Sequence, residues 1–106
     1  MLPVEIIPPA EAELRDAARY LEENRSTTIK IDFLRRFAKA RRDIQQFPQM
    51  WTPSLEGTRC KRLGRFPYSI FYLLEETRIV IIAVAHQKRS PDYWKDRLTS
   101  PPPPQT

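Results

Sequence analysis

Between positions 86 and 97 the chain carries His86, Lys88, Arg89, Tyr93, Trp94, Lys95 and Arg97. An imidazole exchanges a proton near neutral pH, and guanidinium and ammonium groups hold phosphate or carboxylate oxygens. Arg59, Lys61, Arg62 and Arg65 form a second basic group upstream. Together these are the parts needed to meet an anionic partner, either to hold it or to help break a phosphodiester. Each also has a plainer reading. A lone histidine at a strand end is commonly a hydrogen-bonded structural residue, and a cationic run is commonly a solvated face. Of Tyr93 and Trp94, one is expected to pack on the sheet and the other to stand exposed.

Other chemistries find no support. One histidine and one cysteine cannot build a zinc site, and the two glycines, Gly57 and Gly64, sit in no phosphate-loop motif. No metal or cofactor is expected. Cys60 has no partner for an internal disulfide, which suits a reducing compartment, and it reads as a small half-buried thiol.

The net charge of +5 is unevenly placed. Positions 1–58 hold nine Lys or Arg and nine Asp or Glu, so they balance; positions 59–97 hold nine against four, which accounts for the whole excess. An anionic partner follows: nucleic acid, ribosome or an acidic protein surface, with solubility alone as the alternative. No basic segment followed by a long apolar one opens the chain, and the apolar run Ile79 to Ala85 is too short to cross a bilayer. A cytoplasmic protein with no membrane partner is expected.

The elements that would position these residues follow from the pattern. Val4 to Ile7 is a short strand closed by Pro8-Pro9, with a neighbour drawn from far along the chain. Ala10, Leu14, Ala17 and Leu21 recur at helical spacing up to Asn24. Ser26, Thr27 or Thr28 can cap a second helix whose stripe is Ile29, Phe33, Phe37, Ala40, Ile44 and Phe47, stopped by Pro48. The Arg and Lys residues of this helix (Arg35, Arg36, Lys39, Arg41, Arg42) lie mostly off the stripe and read as an ordinary solvent face. Gln49 to Thr58 reads as a loop. Arg59 to Leu63, Phe66 to Leu74 and Arg78 to His86 read as successive hairpin strands, the last covered on both faces or packed under the helices. Alternation would place His86 and Lys88 on one face and Gln87 and Arg89 on the other. Asp92 to Leu98 suits one helical turn. The order β-α-α-β-β-β predicts an α+β fold over 1–98, a helical hairpin on a small, mostly antiparallel sheet. Residues 99–106, rich in proline, are expected to form a disordered tail.

This order resembles the RelE/ParE superfamily of toxins from bacterial type II toxin–antitoxin (plasmid stabilisation) systems. The likeness is carried by Val4 to Ile7, Ala12 to Leu21, Phe33 to Pro48, Phe66-Pro67-Tyr68-Ser69-Ile70-Phe71-Tyr72 and the ending from Ala83 to Trp94. It implies one of two activities: cleavage of mRNA on the ribosome by RelE-like members, or poisoning of DNA gyrase by ParE-like members. RelE-like nucleases use a strongly basic set and a C-terminal tyrosine. Here Arg62 and Tyr93 match, but Cys60, Ser69 and Gln87 stand where the nucleases place lysine or arginine. The resemblance therefore points to the ParE-like branch: a toxin that binds gyrase and is not an enzyme. The alternative is a metal-independent endoribonuclease using Arg62, His86, Lys88, Arg89 and Tyr93. A third is a degenerate relative that only binds an antitoxin. The implied partners are a cognate antitoxin with an acidic tail, and gyrase or ribosome and mRNA as target; a homodimer or a toxin–antitoxin hetero-oligomer is possible.

Overall fold

In a computed structural model, residues 1–99 are described. The expected disorder of the proline tail concerns residues that lie almost wholly outside that range. Five strands form one sheet: β1 (Val4–Ile6), β2 (Thr52–Pro53), β3 (Arg59–Arg62), β4 (Tyr68–Leu74) and β5 (Ile79–His86), in the order β1-β5-β4-β3-β2. β1 is parallel to β5, and every other pair is antiparallel. Helices α1 (Pro8–Asn24) and α2 (Thr27–Gln46) form the hairpin. A 3-10 turn over Pro91–Trp94 and a short helix α3 (Asp96–Thr99) follow the last strand. The α+β class is as the sequence predicts.

Several boundaries differ, each for a local reason. Pro8 and Pro9 do not merely close β1; they are the first residues of α1. Proline suits that position because its fixed φ is helical and its missing N–H would have had no helical acceptor. Ser26 caps α2 by accepting from the Ile29 N–H at 3.1 Å. α2 ends at Gln46, so Phe47 leaves the apolar stripe and is 51% exposed. The segment expected as a plain loop contributes β2, a two-residue edge strand in which Pro53 offers no N–H to a further strand. β5 ends at His86; Gln87 and Lys88 turn away, so strand alternation stops there.

The core lies on both faces of β5. Under the helices, Phe33, Ile44, Leu63, Ile70, Tyr72, Ile79 and Ile81 are almost fully buried. On the other face Trp94 is fully buried and stacks tilted on Phe71 with centroids 4.9 Å apart. The C-terminal segment is therefore the second cover that the uninterrupted apolar run of β5 calls for.

One irregularity organises this arrangement. Phe71 faces Ala83 and Tyr72 faces Ile81, which leaves Ile82 as an extra residue, a β-bulge. β1 pairs with β5 only as far as Ile81, whose carbonyl accepts from Ile7. Beyond that point side chains satisfy the open edge. Glu13 of α1 accepts from the Val84 N–H at 3.0 Å, and Arg97 donates to the Ile82 carbonyl at 2.9 Å. Arg97 also grips both Glu13 oxygens at 3.0 Å each, and the Tyr93 hydroxyl donates to Glu13 at 2.7 Å. Burial alone would raise the Glu13 pKa, but the bonds from Arg97, Tyr93 and Val84 outweigh it and hold the carboxyl below the ordinary glutamate range.

Glu13→Gln should cost about 2–3 kcal/mol at neutral pH, since a charged acceptor of several bonds is lost and Arg97 keeps a half-hidden charge. Because the folded carboxyl is the stronger acid, its stabilisation is complete above the ordinary glutamate pKa and is lost as pH falls through the folded value. Urea unfolding of both proteins across the acid range should show the gap closing towards low pH; a gap independent of pH would refute the charged clamp. Trp94→Ala should cost about 3–5 kcal/mol, as an aromatic truncation in a core does. Trp94→Phe should cost far less, because the buried indole N–H has no acceptor among the described residues. Thermal unfolding of the two variants measures the difference.

Candidate target-binding site

The basic residues singled out from the sequence fall into three physically distinct groups. Tyr93, Trp94 and Arg97 are structural anchors: the first and third bind Glu13, and Trp94 has no exposed surface. Tyr93 is half-buried, so neither aromatic side chain stands free as the expected exposed partner. Its phenol pKa is raised, first by burial and then by donation to the Glu13 carboxylate.

A second group braces the sheet edge. Arg59 donates to the Trp51 carbonyl at 2.8 Å, and Lys61 sits 3.8 Å from the centre of the Trp51 ring. Arg65, in the β3–β4 turn, pairs with Asp32 of α2.

The third group faces solvent. Arg62 and Arg89 line a cleft of about 340 Å³ on the sheet face away from the helices, together with Thr52, Ser69, Gln87, Phe71 and Ala85. Arg89 lies 3.6 Å over the Tyr93 ring, so the anchored phenol serves as its platform. Lys88 and Lys95 are exposed nearby in sequence.

His86 stands between two clefts. It lines the one just described and a larger one of about 630 Å³ shared with Tyr20, Arg25, Arg65 and Tyr68. A chain of edge-on rings holds it: Phe33 meets Tyr68 at 5.3 Å, and Tyr68 meets His86 at 5.0 Å. Its Nδ1 accepts from the Lys88 backbone N–H at 3.1 Å, which in the neutral ring leaves the proton on Nε2. The imidazole thus closes the turn after β5 through Nδ1.

Cys60 lines the same cleft as Arg62. Burial raises its thiol pKa, and the Ser69 hydrogen bond and the Arg62 charge only partly offset that, so it remains a protonated thiol at neutral pH. Among the described residues no group of three His, Cys, Asp or Glu side chains could hold a metal. No helix there is long and apolar enough to cross a membrane.

Two contributors escaped the sequence reading. Glu13 carried a signal: it lies three residues after Ala10 and four before Ala17, inside the apolar stripe of α1, where a carboxylate needs a partner. Arg36 carried none. Its helix reads as a solvated basic face, yet its guanidinium lies across the β3–β4 turn at Gly64.

The chain matches known proteins in fold and sequence family. Its residues 4–91 match the family model described as the ParE toxin of the type II toxin–antitoxin system, parDE. A comparison with curated proteins finds no match. A solved structure described as "Chromosomal ParDE TA system from P. aeruginosa" is similar, with a TM-score of 0.68 and 16% identity, covering 81% of this chain and 96% of that one. At that identity the likeness speaks for the fold, while the family model spans most of the sequence. The chain belongs to the ParE toxin family of type II toxin–antitoxin systems.

Proposed function

We propose that this ParE-type toxin acts by binding a macromolecular target, DNA gyrase, through its exposed basic surface, and that it cuts no nucleic acid itself. The observation that carries this reading is the commitment of Tyr93 to Glu13. In-line cleavage of RNA requires a group that removes the 2′-OH proton, a group that assists the leaving oxygen, and cations around the phosphate. Tyr93 is half-buried with its hydroxyl engaged and its pKa raised. His86 has Nδ1 engaged. Ser69 and Gln87 put neutral groups in the cleft where the nuclease pattern would put cations, which leaves Arg62 and Arg89 as its Arg or Lys lining. Such a cleft is suited to gripping an acidic surface and poorly equipped to move protons.

Family membership makes a cognate antitoxin the first partner. An acidic segment of it would offset the excess charge of residues 59–97, so the affinity of the complex should fall as salt rises. An affinity unchanged by salt, read by titration calorimetry, would remove electrostatics from that interface.

Inducing the chain alone in cells and following pulses of labelled thymidine and leucine tests the target. DNA synthesis should fail first, and purified chain should inhibit supercoiling by gyrase. Arg62→Glu with Arg89→Glu should relieve growth arrest by at least about tenfold in surviving cells, as reversed charge at a binding surface commonly costs several kcal/mol. Tyr93→Phe, where folded, should leave arrest intact. Protein synthesis failing first, with cleavage of ribosome-bound mRNA abolished by Tyr93→Phe, would establish the nuclease reading instead.

A further inference from the structure

We propose that the basic strip running from Arg36 and Lys61 through Arg62 to Arg89 binds the phosphodiester backbone of a nucleic acid directly. The inference shares Arg62 and Arg89 with the gyrase reading, but its test uses the purified chain and nucleic acid alone, so the two can fail separately. Its geometric basis is a second, small depression of about 110 Å³ between α2 and β3, lined by Arg36, Lys39, Lys61, Arg62 and Gly64 among others. Arg62 lines both this depression and the larger cleft that contains Arg89. The two hollows therefore share Arg62, and their cations form a strip along β3.

Three features separate this track from an ordinary charged face. The first is the absence of counter-charge. Among the described residues Arg36, Lys61, Arg62 and Arg89 form no ion pair with a carboxylate, and Asp43, the acidic residue in the small depression, is held by Lys39 at 3.0 Å. Cations gathered without partners repel one another, so the fold gains nothing from the grouping.

The second feature is support. Lys61 rests 3.8 Å from the Trp51 ring centre, Arg89 rests 3.6 Å from that of Tyr93, and Arg36 lies against Gly64. A Cβ at Gly64 would stand 2.8 Å from the Arg36 guanidinium, and the left-handed φ of +64° there also favours glycine. The cationic heads are thus held at the surface before a ligand arrives, which lowers the ordering cost of binding.

The third is what the track lacks. The large apolar side chains that stand exposed, among them Ile31, Leu34, Phe47, Met50 and Leu55, line neither hollow. The rings beside the track, Trp51 and Tyr93, each carry a cation on one face. Neutral hydrogen-bonding groups, Thr52, Ser69 and Gln87, line the larger cleft with Arg62 and Arg89. Cations with neutral donors beside them match phosphate oxygens, so recognition would be independent of sequence.

Fluorescence anisotropy with labelled duplex DNA and with single-stranded RNA, each over a salt series, tests the proposal. Binding should weaken steeply with salt, and the duplex and single-strand arms report which nucleic acid fits the track. Arg36→Ala with Arg62→Ala should weaken binding by at least about tenfold at low salt and reduce the log–log salt slope by roughly 1.4–1.8, two phosphate contacts' worth. Arg15→Ala with Arg19→Ala removes the same charge from α1 and should change the affinity by less than about twofold if the track is the site. Equal weakening by both double variants would mean diffuse charge and overturn the proposal, as would a slope unchanged by the track variant. A polyglutamate peptide that binds as tightly, with the same loss in the track variant, would make the strip a protein-binding surface instead. Circular dichroism melts of the variants, all at exposed positions, confirm that each is folded.

Discussion

Where β1 stops pairing, the central strand of this protein is left with a bulge and an open edge, and Glu13 answers both. A helix carboxylate accepts the Val84 N–H, takes the Arg97 fork on both oxygens and receives the Tyr93 hydroxyl. The layer of helices and the C-terminal segment lie on opposite faces of the sheet and share this one group. Backbone polar groups away from water must find partners, and here the partners come from both ends of the chain. The same contact fixes Tyr93, and through it the platform on which Arg89 rests.

The consequence for chemistry is a division of labour among similar-looking residues. Aromatic and cationic side chains near the C-terminus look interchangeable as a cluster, yet burial sorts them. Trp94 fills the second core against Phe71, and Arg97 closes an ion pair with little solvent access. What remains for a partner is Arg62, Arg89, Lys88 and Lys95, joined at Arg62 by the cations of α2. In the proposed reading the site is a set of exposed positive charges with neutral donors beside them, suited to gripping, while the Tyr93 hydroxyl and His86 Nδ1 are engaged within the fold.

Both sheet edges are also managed. On one side Arg41 donates to the Val4 carbonyl at 3.0 Å and Gln45 to the Leu2 carbonyl at 2.8 Å, so α2 covers the outer groups of β1. On the other, β2 is two residues long and carries Pro53. Unpaired edges invite pairing with other chains. Closing them disfavours strand addition at the outer edges as a means of recognition.

The sequence by itself determined the alternation of strands and helices, the apolar run of Ile79 to Ala85 as a buried strand, the fold class and the family likeness. Those features are written in periods of two and 3.6 residues, which local windows report. It also located the excess charge in residues 59–97. It could not assign the start of α1 to Pro8, because a proline pair reads equally well as a strand stop and a helix start. It could not find β2, whose two residues take their strand geometry from β3. Only the tertiary structure decided that Tyr93 and Arg97 serve Glu13, some eighty positions away, and that Arg36 lies against Gly64 in a depression that Arg62 also lines. Such pairings depend on where the helical hairpin lands on the sheet, and no local pattern encodes that distance.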